Sequence, residues 1–188
     1  MKNLIKFTLI WFLTVSLSSC EKDESKEPRP LFVDGQYVRI DFTDNRVLDF
    51  DNINNTFFGG LITTPGNNVR KFEITVKRRN GGVWGADFAK IPLEINVFPY
   101  ELKITPQLLA TSLNLPISDL KSNDFYLFRC SSTGLDGRIV TYNDLSAVIK
   151  NQSSMKQAYL FVTQFFAGTN YLNKKDTYYN FDTSILLN

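Results

Sequence analysis

The sequence predicts a mainly β domain, an antiparallel sandwich with one short helix. Three observations point there. Residues 71–77 (KFEITVK) alternate, with Phe72, Ile74 and Val76 on one side and Lys71, Glu73, Thr75 and Lys77 on the other. That period of two marks a half-buried strand. Aromatic residues make up 14% of the chain, and they accumulate with β-branched residues in runs suited to a pleated surface. Turn-forming clusters separate those runs: Pro65-Gly66-Asn67-Asn68, Asn80-Gly81-Gly82 and Asp136-Gly137.

The chain divides into three parts: a leader at 1–19, a flexible tether at 20–30 and the sandwich at 31–188. Lys2 and Lys6 precede a short apolar core, residues 7–15 (FTLIWFLTV). That core is well under the ~20 residues a membrane-spanning helix needs, and with its basic flank it reads as an export signal. It closes on Leu17-Ser18-Ser19-Cys20, which resembles the bacterial lipobox. Small residues let the extended chain enter the signal peptidase, and the Cys20 thiol takes a diacylglycerol through a thioether. The membrane is thus the first expected partner, held through a lipid anchor at Cys20 at the outer membrane. More than one acyl chain is needed for firm anchoring. The alternative is an ordinary signal peptide cut elsewhere, with Cys20 incidental. Residues 21–25 (EKDES) resemble the export tag of surface-displayed lipoproteins, and they also read as a solvated linker. Residues 21–30 hold no apolar side chain besides two prolines, hence the tether.

The sequence carries 21 Lys and Arg against 19 Asp and Glu, and removal of Lys2 and Lys6 with the leader leaves the two signs equal. Nucleic acid is not an expected partner, because its binding needs a clear basic excess. With Cys20 acylated, Cys130 is left without a disulfide partner, so the fold must rest on packing.

In chain order, residues 36–42 (QYVRIDF) place Val38, Ile40 and Phe42 on one face of a first strand. The 71–77 strand follows. Thr105 then offers an N-cap with Pro106 at the first helical position. Leu108, Leu109 and Leu113 fall at helical spacing, and Asn114 and Pro116 end the helix, with 117–120 adding a further turn. The denser apolar runs 124–130 (DFYLFRC) and 158–166 (AYLFVTQFF) read as central strands. Between 125–130 and 138–142, Asp136-Gly137 predicts a hairpin with a type I′ turn. Residues 173–188 read as a final strand or pairing segment.

The "GQYVRI" and "VRKFEITVKRR" strands, the "ITPQLLATSLNLPISDLKSNDFYLFRC" stretch and the "GLDGRIVTYNDL" hairpin resemble a group of surface lipoproteins of the Bacteroidota. These are related to accessory glycan-binding lipoproteins of starch-utilisation-type systems. The resemblance spans about residues 35–165. It implies an immunoglobulin- or fibronectin-III-like sandwich, display at the cell surface and the company of a TonB-dependent transporter. It assigns no ligand residue.

The chain has no histidine, which removes Ser-His-Asp triads, Cys-His pairs and His-ligated zinc. No catalytic residue, metal site or cofactor is predicted. Cys130 shares a strand face with Tyr126 and Phe128 and reads as a small buried hydrophobe. Asp41, Asp44, Asp49 and Asp51 could in principle pair for glycoside hydrolysis, but nothing in the sequence sets two across a cleft. Residues 44–55 are rich in oxygen donors yet fail the calcium-loop pattern, and Asn and Asp also suit plain turns. The ligand-binding candidate is Trp84, in the glycine-rich stretch 81–85, where an exposed ring could stack on a sugar. Phe57, Phe58, Tyr171, Tyr178 and Tyr179 could contribute. The competing reading has Trp84 capping the core. The expected function is a non-catalytic surface binding or accessory protein for glycan uptake or adhesion. The alternative is a structural envelope protein contacting other outer-membrane components, and a carboxylate-dependent glycoside hydrolase stands further behind.

Overall fold

The computed structural model describes residues 36–42 and 46–174. The leader, Cys20, the tether, Asp44 and residues 175–188, with Tyr178 and Tyr179, lie outside the described residues.

Ten strands follow in chain order: β1 (Arg39–Phe42), β2 (Leu48–Asp49), β3 (Phe58–Thr63), β4 (Val69–Asn80), β5 (Val83–Trp84), β6 (Ala89–Lys90), β7 (Tyr100–Ile104), β8 (Phe125–Gly134), β9 (Ile139–Thr141) and β10 (Leu160–Phe166). A smaller sheet runs β1-β3-β7. A larger one runs β2-β10-β8-β4-β5, with β6 beside β4 and β9 beside β8. These pairings are antiparallel except for β2 against β10. The protein is a mainly β sandwich, as the alternation predicts.

The core is made by the inner faces of both sheets. Phe72, Ile74 and Val76 of β4, Tyr126, Phe128 and Cys130 of β8, and Phe161 and Phe165 of β10 meet Ile40, Phe58, Ile62, Leu102 and Ile104. Rings bridge the two layers. Phe58 stacks on Phe128 at 5.7 Å between centroids, and its ring also lies 5.7 Å from that of Phe161. Each such side chain contributes about 1.5–3 kcal/mol by leaving water. Phe58 is therefore a core residue and not a ligand platform. Along one edge β1 is tied to the approach to β10, with Ile40 donating to the Lys156 carbonyl at 2.8 Å and Ala158 to that of Val38 at 3.1 Å.

The predicted helix is α1 (Pro106–Ser112). The Thr105 hydroxyl accepts from the Leu108 amide at 3.2 Å, and Pro106 opens the first turn. Leu109 and Ala110 are buried, and a 3₁₀ turn follows at Ile117–Asp119. Two more short helices correct the expectation of one: α2 (Ala147–Asn151) and α3 (Gly168–Lys174). Neither buries a residue, so neither carries the apolar stripe that periodicity detects. Ser146 caps α2 through the Ile149 amide. Asn173 and Lys174, read as the start of a final strand, instead close α3.

The turns also differ from expectation. The β8–β9 hairpin forms, but Asp136 does not take positive φ; Gly137 does, at 84°. Gly137 donates to the Gly134 carbonyl and Gly134 to that of Arg138. That is a three-residue connection ending in a glycine bulge, and the Asp136 carboxylate supports it by accepting from the Arg138 amide. The two-residue turn with positive φ at both centres falls instead at Gly81 (56°) and Gly82 (85°), joining β4 to β5.

Candidate functional site

The candidate site lies on the outer face of the larger sheet, and β8 explains why a site forms there. Phe125 to Phe128 are all buried. Side chains alternate along a strand. With Tyr126 and Phe128 in the core, Phe125 and Leu127 must face away and need separate cover. Leu160 and Val162 of β10, Trp84, Phe88 and Tyr142 provide it, forming a second apolar cluster outside the main core.

Cations stand over these rings. The Arg79 guanidinium carbon lies 5.7 Å from the Trp84 ring centre. Phe88 has Arg129 at 4.6 Å and Lys77 at 5.6 Å, and Tyr142 has Lys150 at 5.1 Å. A cation over an aromatic face is attracted by the ring quadrupole, by about 0.5–1 kcal/mol at exposed sites. The Trp84 ring also meets Phe125 edge to face at 5.8 Å. Trp84 sits in β5 and is half-buried, neither free in an open loop nor capping the space between the sheets.

The edge of this face is built by residues 83–95, which follow β4 with interruptions. Gly85 donates to the Arg78 carbonyl, Ile91 to Ile74, and Phe72 to Ile95. The connection before β6 delivers Phe88 onto the face. The second interruption, at Pro92, Leu93 and Glu94, opens a cleft of about 590 Å³ whose lining also includes Arg70, Lys71, Lys90 and Asn96. This volume falls within the usual ~300–1,000 Å³ of small-molecule sites. Beside the cleft, the Glu73 carboxylate accepts from Lys90 at 2.6 Å and pairs with Lys71 at 3.0 Å. Those contacts, Lys90 first, hold its carboxyl below the usual glutamate range.

The other sequence candidates are placed elsewhere. Cys130 is buried on the inner face of β8, where burial pushes its thiol well up. Asp41 pairs with Lys156. Asp49 accepts from the Asp51 amide, and Asp51 from the Gly168 amide, so both carboxylates organise turns. Among the described residues, no group of three or more Asp, Glu or Cys converges to hold a metal. Phe57 lies under Lys103, and Tyr171 belongs to α3; sequence reasoning brings both to the site, and the structure brings neither to the Trp84 cluster. Phe88, Arg79 and Arg129 were the residues it missed. Their signal was indirect: apolar density on both faces of 125–128 requires a cover, but no local pattern names it.

In comparisons with known proteins, no family model, curated protein or solved structure matched the chain.

Proposed function

We propose that this chain is a non-catalytic binding or accessory protein of the outer membrane, anchored by lipid at Cys20 and displayed at the cell surface. Its outer sheet face engages a glycan, in the company of a TonB-dependent transporter. The observation that carries the reading is the second apolar cluster, in which Trp84, Phe88 and Tyr142 lie partly open and ringed by cations. Partly exposed aromatic clusters of this kind suit interaction sites.

The finer fold assignment is part of the same proposal. The order β1-β3-β7 opposite β10-β8-β4-β5 corresponds to A-B-E opposite G-F-C-C′ of an immunoglobulin-like sandwich. The lipobox-like Leu17-Ser18-Ser19-Cys20 supports the anchor.

Affinity electrophoresis in gels carrying different polysaccharides tests the binding role. Retardation of the native protein, lost in Trp84→Ala, supports it. Migration unchanged in every gel, with a membrane protein copurifying, favours the structural envelope role. Turnover of a polysaccharide would replace both with a hydrolase.

A further inference from the structure

We propose that the cleft beside β4 holds the acidic group of a sugar, a uronate carboxylate or a sulfate ester, so that the ligand of this face is an acidic glycan. The inference rests on the glycan-binding reading above and narrows it to one chemical class.

The first argument is charge. Lys and Arg barely outnumber Asp and Glu, 21 to 19. The distribution is uneven. Lys71, Lys77 and Arg79 project from β4, Arg129 from β8 and Lys90 from β6, with Arg70 at the rim. Acids placed among them are Glu73, paired with Lys71 and Lys90, and Glu94 in the cleft lining. Such a surface concentrates anions near it.

The second argument is the state of the cleft's own cations. The ladder between β4 and β8 slips between Val69 and Lys71, leaving Arg70 at the irregularity. Arg70 is exposed, and its guanidinium makes no hydrogen bond or ion pair among the described residues. A planar guanidinium matches carboxylate or sulfate oxygens with two parallel donors. Lys71 and Lys90 share a single carboxylate, Glu73. An ammonium has three donors, so both retain donors for an incoming anion.

The third argument is shape. Pro92 and Leu93 give the cleft an apolar wall and Asn96 an amide, which suits a ring bearing hydroxyls and one charge. A flat anionic membrane would not fill a concave site. Nucleic acid would need a continuous basic groove along its backbone, and Glu73 and Glu94 interrupt this one.

Titration calorimetry of the purified protein tests the proposal with polygalacturonate, a sulfated galactan, neutral starch, anionic phospholipid vesicles and single-stranded DNA. We expect binding to at least one acidic glycan, with the preferred member showing whether carboxylate or sulfate is recognised. Arg70→Ala should weaken it about tenfold or more, the scale of one charge-assisted bond. Glu73→Gln should tighten it several-fold, because it removes the internal competitor for Lys71 and Lys90, and a misfolded variant could not do so. Unchanged binding in Arg70→Ala, or weaker binding in Glu73→Gln, overturns the proposal. Binding of starch alone overturns it while leaving the glycan role intact. Binding of vesicles or DNA without any glycan overturns both, as does binding of none of the five.

Discussion

Arg78 and Asp124 form an ion pair at 2.6 Å in which the carboxylate is almost fully buried. Asn80 donates to its other oxygen at 2.7 Å, and the Lys121 amide and the Tyr126 hydroxyl complete the set. Arg78 also donates to the Asp119 carbonyl at 2.6 Å, which ties the end of β4 to the 3₁₀ turn before β8. Removing one partner of such a pair leaves a charge without compensation. Asp124→Ala should therefore lower stability by about 3–5 kcal/mol, read as a fall in the urea midpoint at unchanged slope. Asp124→Asn, which keeps the shape and part of the bonding, should cost less.

Tyr159 gives a pH prediction. Its hydroxyl donates to the Gln36 carbonyl, and the Ser132 hydroxyl meets it at 2.9 Å. Burial, ahead of any other cause, pushes the phenol up from 10.0 to about 12. A folded-state value above the unfolded one stabilises fully below pH 10 and loses that contribution as pH rises towards 12. Burial also pushes up the Tyr37 and Tyr126 phenols, so ultraviolet titration should find several phenolates that ionise late, with Tyr159→Phe removing one of them. That variant should also lose about 1–3 kcal/mol, because the Gln36 carbonyl is left with the long bond from the Ser132 hydroxyl, at 3.4 Å.

The stack of Phe58 on Phe128 joins the two layers directly. Phe128→Ala opens a cavity beneath Phe58 and Phe161 and should cost about 3–5 kcal/mol. Thermal denaturation followed by circular dichroism checks this, and Phe128→Leu should recover most of the loss.

Cys130 should be inert. Its thiol is buried and pushed well above its ordinary value, and the thiolate is the reactive form. In a Cys20→Ser variant, a disulfide reagent should release colour only after denaturation. Prompt labelling of the native protein would contradict the placement of β8.

Much of this architecture was legible from the sequence. Alternation at 71–77 located β4, and Thr105-Pro106 located α1, because a strand's period and a helix cap are local signals. The parts that escaped were set by distant partners or by weak signals. α2 and α3 bury nothing, so no periodic stripe revealed them. Asp136-Gly137 predicted a hairpin correctly but the wrong turn, because Gly137 alone takes the left-handed conformation there. Trp84 was noticed for its glycines. Its actual setting depends on Phe125, Phe88 and Arg79, which only the sheet brings beside it.

The position of β8 has a consequence for biosynthesis. It is the long neighbour of β4 and also holds β9 and β10, yet its last residue is Gly134. A nascent polypeptide finished only through α1 carries β4 with no β8 to pair with along its length, and closing such distant pairings is slow. The sandwich can be completed only after Phe166 emerges, so C-terminal deletions reaching into β10 should yield insoluble product rather than a smaller working module.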